Sequence, residues 1–407
     1  MTRPKFKNED FEFGYEIALG SVYRGYADAG EVQATVARIK DGDADAWVAE
    51  WCTTADSMES AAQEAEAGDH RVSAHGLYLR AARYYSTALS LITHSRQASR
   101  QLEIWRRHRA CWDKAVDLAP VPGERIEFAY EGTTLPGYFF RAPDAKPGEE
   151  RPLVVINNGS DGATSDMGLF GGIAANERGY HWMTFDGPGQ QATLFLQNIP
   201  FRHDWEAVLT PVLDAMVARP DVDADRIAVI GVSQAGYWVP RALAFEHRFA
   251  AAVIDPGVVD VSTSWTAQLP RFMTSQLEDE SKKKAFDQEM GWAERFSKST
   301  RATLHFRGEP YGVDGESRWD LYHEVLRYKL GDEVKDITTP VLITSPEDEQ
   351  FWPGQSQRLY QMLSGEKQLV SFTAAEGANR HCEPMGLGIR DARIYDWLDG
   401  YLRTRPL

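Results

Sequence analysis

Short, almost wholly apolar segments recur in this 407-residue chain and alternate with amphipathic stretches. They read PLVVIN at 152–157, RIAVIGV at 226–232, AAVI at 251–254 and PVLIT at 340–344. Strands that are apolar on both faces belong to parallel sheets that helices cover on both sides. The pattern therefore predicts an α/β fold with a mostly parallel sheet.

A change of pattern near residue 120 divides the chain into two predicted domains. Residues 1–120 read as helical, and the proline-rich segment LAPVPG ends them. Residues 121–407 form the second domain, which begins with two antiparallel strands and continues with alternating strands and helices. Within it, a long helical stretch at about 262–335 exceeds a plain crossover connection. We predict that this stretch is an insertion over the carboxyl edge of the sheet, where ligands bind in such folds.

Charge and cysteine content exclude several classes of function. The net charge of −16 repels nucleic acid and anionic membranes. Three scattered cysteines form neither a disulfide framework nor a paired metal site. No run of about 18 apolar residues indicates a membrane span, and the first residues lack the apolar run of a secretory signal. We expect a soluble cytoplasmic protein without nucleic-acid or membrane partners.

The segment GVSQAG at 231–236 directly follows the RIAVIGV strand and precedes a helix. In the G-x-S-x-G pattern, a sharp strand-to-helix turn exposes the serine hydroxyl, and small residues must flank the serine because backbones approach closely. Gly231 and Ala235 meet that requirement here. The alternative is that Ser233 only caps the helix, but a cap does not need a glycine two residues earlier. We predict that Ser233 is a nucleophile.

A serine nucleophile needs a general base, and three histidines lie beyond residue 300. His305 and His323 fall in the predicted insertion, where a solvated or packed histidine is the simpler interpretation. His381 lies in the loop EGANRH, after the last predicted strand at 368–372. The base follows the last strand in proteins with this turn. We predict that His381 takes the proton of Ser233.

The acid of a catalytic triad is expected in the loop SPEDEQFWP, which follows the PVLIT strand. Three consecutive acids leave the choice open. In enzymes with this turn the acid commonly stands four residues before a proline, as Glu349 does before Pro353. Glu349 is therefore the first candidate, Asp348 the second and Glu347 the third. Acidic clusters in loops are usually solvated, so two of the three acids are expected to have no catalytic role.

Backbone amides are expected to stabilise the oxyanion, those of Gln234 after the nucleophile and Ser160 in the loop NGSDG. A phosphate-binding nest is the alternative for that loop, but no Gly-Lys-Ser/Thr follows. Candidate substrate contacts are Asp161 in the same loop, Asp255 at a strand end and Tyr78 of the helical domain. Strand-end acids are often caps, and aromatic residues of such helices more often belong to the core.

The ordered motifs NNGSDG, FDGPGQ, GVSQAG, EDEQFWPGQ and EGANRHCEP, after a helical region, resemble one branch of the α/β-hydrolases. That branch includes 2,6-dihydroxypseudooxynicotine hydrolase, polyketide-shortening hydrolases of fungal melanin pathways and fermentation–respiration switch proteins. The resemblance implies an α/β-hydrolase fold with an N-terminal helical cap, and assigns its serine, histidine and oxyanion loop to Ser233, His381 and Ser160. The branch usually has an aspartate as the acid, so Glu349 is a departure that keeps Asp348 under consideration.

By resemblance, members of this branch cleave a carbon–carbon bond beside a ketone in an aromatic or polyketide-derived compound. They are typically dimers, and neither a metal nor an organic cofactor is implied. We therefore expect a homodimeric serine hydrolase that acts on a small, aromatic substrate. The alternatives are a carboxylesterase or thioesterase with the same triad, a biosynthetic cyclase, lyase or acyltransferase, and a non-catalytic regulatory protein on a hydrolase scaffold.

Overall fold

Eight strands form one sheet in a computed structural model that describes residues 4–313 and 317–403. The strands are β1 (Glu124–Tyr130), β2 (Thr133–Phe140), β3 (Arg151–Asn157), β4 (His181–Phe185), β5 (Val222–Val232), β6 (Ala251–Asp255), β7 (Val341–Pro346) and β8 (Lys367–Phe372). Their order is β1-β2-β4-β3-β5-β6-β7-β8. β1 and β2 are antiparallel to their neighbours, and all other pairs are parallel. The predicted mostly parallel sheet is confirmed.

Five helices precede the sheet. They are α1 (Glu9–Gly20), α2 (Ala29–Val36), α3 (Ala44–Ala67), α4 (Arg71–Leu89) and α5 (Gln101–Leu118). The Asp43 side chain caps α3 by accepting a hydrogen bond from the amide of Ala46 at 3.0 Å. Large aromatic side chains of α3 and α4, among them Trp51 and Tyr84, are fully buried with ring centroids 5.5 Å apart. Packing of these apolar faces, rather than helix propensity alone, stabilises the region.

Helices also alternate with the strands after β3. α6 (Gly172–Glu177), α7 (Gln191–Gln197), α8 (Glu206–Val217) and α9 (Ala235–Leu243) precede β6. Between β6 and β7 the chain forms α10 (Thr263–Thr266), α11 (Arg271–Gln276), α12 (Lys283–Phe296), α13 (Lys298–Gly308) and α14 (Arg318–Leu326). α15 (Gln355–Met362) and α16 (Leu387–Leu402) follow. α10 to α14 fall within the predicted insertion, and the predicted outer limits at 1 and 407 lie outside the described residues.

Two apolar cores lie on opposite faces of the sheet. In β3, Val154 and Ile156 join one core, and Leu153 and Val155 join the other, because successive strand residues point to opposite faces. The first core is continuous with the buried residues of α1 to α5 and α16. The second contains the apolar faces of α8 and α9 and much of α10 to α14. The N-terminal helices and the insertion therefore each share a core with the sheet.

No helix in the described ranges is long and apolar enough to cross a membrane. The homodimer implied by the resemblance stays a prediction.

The turn from β5 to α9 brings three backbone segments unusually close together. Ser233 has a φ of 59°, in the left-handed region that residues with a side chain seldom adopt. Its amide donates to the carbonyl of Asp255 at 2.7 Å, which ties the turn to the end of β6. A Cβ atom on Gly236 would lie only 1.9 Å from the carbonyl oxygen of Pro256. Position 236 therefore has no room for a side chain, and only glycine fits there.

Pro240 lies inside α9 and cannot donate a backbone hydrogen bond to Gly236, four residues earlier. The carbonyl of Gly236 instead accepts from the amide of Val258 at 3.2 Å. The proline thus leaves a helix carbonyl free for the segment after β6, and it explains how α9 tolerates this residue.

We expect Gly236→Ala to lower the free energy of unfolding by about 1–3 kcal/mol, because the new methyl group overlaps a main-chain oxygen. Gly291→Ala is the matched control, since Gly291 lies within α12 and a Cβ there meets nothing within 4 Å. The control should gain about 0.5–1 kcal/mol from helix propensity. Urea unfolding followed by tryptophan fluorescence checks both changes. Equal effects of the two substitutions would contradict the steric argument.

Candidate active site

The structure brings together three side chains from the carboxyl edge of the sheet. Ser233 Oγ lies 2.9 Å from Nε2 of His381. On the other side of the ring, Nδ1 of His381 lies 2.8 and 3.0 Å from the two carboxylate oxygens of Glu349. A serine, a base and an acid in this order form the arrangement that activates a serine hydroxyl for nucleophilic attack.

Glu349 is also held by the backbone that follows it. One carboxylate oxygen accepts hydrogen bonds from the amides of Phe351 at 2.9 Å and Trp352 at 3.1 Å. Burial raises the pKa of the Glu349 carboxyl, but His381 and these two amides outweigh burial and lower it below its ordinary value. Glu349 is therefore an anion at neutral pH, suited to orient the ring of His381 and to stabilise its protonated form.

The two neighbouring acids have other partners. Glu347 accepts a hydrogen bond from the amide of Ala374 at 2.8 Å, and Asp348 accepts one from the side-chain amide of Asn379 at 2.6 Å. Both acids are exposed. Of the three consecutive acids, the structure places Glu349 against the histidine and uses the other two to fasten the loop.

Aromatic rings surround the catalytic histidine. The ring centroid of His381 lies 4.8 Å from that of Phe351 in an edge-on arrangement, 5.7 Å from Trp352 and 6.2 Å from Phe13 of α1. Burial lowers the pKa of His381, and the adjacent Glu349 raises it by more, so the pKa lies above its ordinary value of 6.5. Phe13 was not predicted from sequence, because no local signal marks a ring that reaches the site from another part of the chain.

The loop after β3 packs directly against the nucleophile. A Cβ atom on Gly159 would lie 2.7 Å from Cβ of Ser233. The buried side-chain amide of Gln190 donates to the carbonyls of Asn158 at 2.7 Å and Gly159 at 2.8 Å. In a trans peptide the N–H points opposite to the C=O, so the Ser160 amide points away from Gln190. Gln190 thus acts as a positioning residue for this loop, a role that its glycine-rich turn did not reveal in the sequence.

Gln234, whose amide is the second predicted oxyanion donor, opens α9 immediately after Ser233. Its side-chain oxygen accepts a hydrogen bond from the hydroxyl of Tyr311 at 3.4 Å. Both Gln234 and Ser160 line the same cavity as the nucleophile. Both residues therefore lie in the same cavity wall as Ser233, and their role as oxyanion donors stays a prediction.

Ser233 and His381 line a cavity of about 320 Å³. Its walls come from α1, α4, the loop after β3, α13 and the two loops that carry Glu349 and His381. Nine phenylalanine, tyrosine and tryptophan residues contribute to the lining, among them Phe13, Phe170, Phe201, Trp265, Tyr311 and Trp352. Asp161, a predicted substrate contact, is exposed and forms part of this wall.

The other two predicted substrate contacts are corrected by the structure. Asp255 is fully buried beneath the site, where it accepts hydrogen bonds from Thr344 at 2.6 Å and from Arg390 at 2.7 Å. Tyr78 is buried in the helical region and donates to Glu66 at 2.8 Å. Neither side chain lies in the cavity wall. Asp255 was named for its place at a strand end and Tyr78 as an aromatic residue of the helical region, and neither signal shows which partner the side chain has in the folded protein.

A family model described as "Esterase FrsA-like" matches residues 26–273, more than half of the chain. The chain belongs to the FrsA-like esterase family. Hydrolase LUC6 of a Fusarium species is 29% identical to it over 97% of each chain. The 20-hydroxy-prefusarin hydrolase FUS2 of Gibberella moniliformis is 27% identical, again over 97% of each chain.

The solved structure of 2,6-dihydroxy-pseudo-oxynicotine hydrolase matches with a TM-score of 0.71. The match covers 94% of this chain and 95% of that one, at 21% identity, and it shows a shared fold. The protein is thus a hydrolase of the α/β-hydrolase fold, and the resemblance predicted from its motifs is confirmed.

We expect Glu349→Gln to lower kcat by about 10³- to 10⁴-fold, because the loss of the carboxylate leaves the His381 ring wrongly oriented and unpaired when protonated. Asp348→Asn is the matched control, since it removes a neighbouring carboxylate that contacts only the loop. It should leave kcat close to that of the wild type. Steady-state hydrolysis of an activated ester measures both, and the reverse ranking would make Asp348 the acid.

The pH dependence of kcat/KM should show an acid limb with an apparent pKa above 6.5. His381 must be neutral to accept the serine proton, and its raised pKa means that activity is lost as pH falls through that value. In Glu349→Gln the carboxylate no longer opposes burial, so the limb of the residual activity should move to lower pH. A neutral ester substrate keeps the substrate's own ionisation out of the profile. A wild-type limb at or below pH 6.5 would contradict this assignment.

Proposed function

We propose that this protein is a serine hydrolase that cleaves a carbon–carbon bond next to a ketone, through an acyl-enzyme on Ser233, in an aromatic or polyketide-like small molecule. The observation that carries the proposal is the hydrogen-bonded series Glu349–His381–Ser233 at the wall of a cavity to which nine aromatic residues contribute.

The cavity supports a compact, ring-bearing substrate over a long ester chain. Helices of the N-terminal region and of the insertion both contribute to its walls, so a bound substrate would contact protein on two sides. Aromatic side chains give rings a large apolar contact area and preferred edge-on or offset geometries. A substrate held between these walls would also displace water while the first bond is broken.

The first half of the reaction forms an acyl-enzyme. His381 takes the proton of the Ser233 hydroxyl, and Oγ bonds to the ketone carbon, whose oxygen becomes an anion near the amides of Gln234 and Ser160. When the carbonyl re-forms, the bond between the former ketone carbon and its α-carbon breaks. The electron pair goes to the α-carbon, where an adjacent carbonyl or electron-poor ring stabilises it. His381 then protonates this carbon, and the first product leaves.

Water completes the second half. His381 takes a proton from a water molecule, whose oxygen attacks the acyl carbon, and the same ring returns the proton to Oγ of Ser233 as the ester breaks. The products are a carboxylic acid and a compound with a new C–H bond. Because Glu349 is anionic beside His381, it stabilises the protonated ring in both halves.

Ester hydrolysis with the same triad is the second candidate, because the family model is described as that of an esterase. It differs only in the leaving group, which is then an alcohol or a thiol instead of a carbanion. A cyclase or acyltransferase would use the same acyl-enzyme with a hydroxyl, amine or carbon nucleophile of a substrate in place of water, and a lyase would break the bond without water and without an acyl-enzyme. A non-catalytic regulatory protein would have no activated serine.

Labelling with a fluorophosphonate probe, followed by intact mass, tests the nucleophile. We expect one adduct on the wild type and none on Ser233→Ala, with kcat of the variant lower by about 10³-fold or more. Ser275→Ala, which changes an exposed serine of α11, is the matched control and should label like the wild type. Absence of label with this probe and with a smaller one would favour the regulatory alternative.

Incubation with 1-phenylbutane-1,3-dione in ¹⁸O-water tests the bond cleaved. We expect one carboxylic acid and one methyl ketone, with ¹⁸O in the acid, and no products from Ser233→Ala. Rapid cleavage of aryl esters with no cleavage of this or related diketones would instead assign the protein as an esterase.

A further inference from the structure

Arg307 of α13 is a charged side chain in the wall of the catalytic cavity. One of its nitrogens donates to Oγ of Ser264 at 2.8 Å. Its guanidinium lies over the ring of Trp265, with 4.9 Å between the guanidinium carbon and the ring centroid. A hydroxyl and an aromatic face hold the guanidinium in place. Among the described residues the Ser264 hydroxyl is its one hydrogen-bond acceptor, whereas a guanidinium has five N–H donors.

Among the described residues, no carboxylate lies within 4.0 Å of this guanidinium. Two buried arginines, Arg83 and Arg390, do have such a partner, in Asp166 at 2.7 Å and in Asp255. Arg307 is half-buried, and a charge that is partly withdrawn from water without an ion-pair partner is unfavourable for folding. Arg307 therefore stands out as a cation for which the described residues, 4–313 and 317–403, provide no counter-ion.

Two acids influence the charge of Arg307 through space, but neither serves as its counter-ion. Asp161 and Asp10 belong to the cavity wall and interact with Arg307 only at longer range. Both are exposed, so water and salt screen their charges. Burial lowers the pKa of Arg307, yet an arginine remains charged at neutral pH. Its planar fork of donors matches a carboxylate in two parallel hydrogen bonds.

Contacts between side chains connect this cation to the reacting serine. The ring of Trp265 packs edge-on against Tyr311 with centroids 5.5 Å apart. The hydroxyl of Tyr311 in turn donates to the side chain of Gln234, next to Ser233. Trp265, Tyr311 and Gln234 thus form a series of contacts along the cavity wall from the guanidinium to the nucleophile, and both Arg307 and Ser233 line this cavity.

We propose that Arg307 forms an anion subsite that binds an ionised carboxylate of the substrate, at the opposite end of its ring system from the ketone attacked by Ser233. This inference rests on the proposed function for the position of the ketone, and it defines the substrate class as keto acids. Arg307 supplies the two hydrogen bonds, and Trp265 and Tyr311 contact the apolar part between the two ends.

Binding to a protein that cannot turn over tests the subsite directly. The probes are 4-oxo-4-phenylbutanoate and its methyl ester, which differ only in the negative charge. In Ser233→Ala, we expect the acid to bind about 10- to 100-fold more tightly than the ester by calorimetry, since hydrogen bonds to charged groups are the stronger kind. Adding Arg307→Met should remove this difference by weakening the acid alone.

Arg301→Met is the matched control, because Arg301 is an exposed arginine of the same helix that donates to the carbonyl of Glu294. It should leave the preference for the acid unchanged. Arg307→Lys keeps the charge and should retain part of the preference, and it serves as the second variant if the methionine variant does not fold. Equal binding of acid and ester in Ser233→Ala, or a preference that survives Arg307→Met, would overturn the subsite.

The two proposals fail in distinguishable ways. Fluorophosphonate labelling of Ser233 does not require a carboxylate, so Arg307→Met should still label like the wild type. If Ser233 is labelled in the wild type, and the preference for the acid is present in Ser233→Ala but lost when Arg307→Met is added, both proposals are supported. An acid preference that depends on Arg307, in a protein whose serine is never labelled, keeps the anion subsite and rejects the proposed acyl-enzyme on Ser233. A labelled serine, together with equal binding of acid and ester in Ser233→Ala, keeps the serine nucleophile and rejects the anion subsite.

Discussion

The left-handed backbone at Ser233 is the constraint on which the rest of the site depends. A residue with a side chain in this conformation costs about 1–2 kcal/mol, and tertiary contacts must hold it there. The hydrogen bond to the carbonyl of Asp255 and the close packing of Gly159 and Gly236 provide those contacts. The turn at Ser233, the loop after β3 and the end of β6 are therefore packed together as one unit, and this packing fixes the direction in which the Ser233 hydroxyl points to His381.

Charge pairs fasten the N-terminal helices to the loops at the catalytic edge. Arg83 of α4 pairs with Asp166 after β3, and Arg109 of α5 pairs with Asp186 after β4. The carboxylates are buried and the arginines nearly so. Such pairs add little net stability compared with apolar contacts, but breaking one leaves an uncompensated charge. They therefore favour one position of the N-terminal helices on the sheet, and in that position the ring of Phe13 lies beside that of His381.

Local signals in the sequence predicted the sheet and the order of the catalytic groups. Ser233, Glu349 and His381 each follow a strand, so strand-to-loop position and spacing sufficed to place them at one edge. Asp255 was misassigned because its partner Arg390 lies 135 residues further along the chain. Arg307 was missed for a related reason. What distinguishes it is that no carboxylate of the described residues pairs with its guanidinium, and only the folded structure shows this.

Several side chains of the cavity wall also belong to the two apolar cores. Trp265 and Tyr311 line the cavity and pack in the core of the insertion, while Met167 and Phe170 do the same on the other face. Selectivity and folding thus draw on the same atoms. A substitution that reshapes the pocket for a new compound also removes core packing, so divergence of substrate range in this architecture requires compensating stabilisation elsewhere.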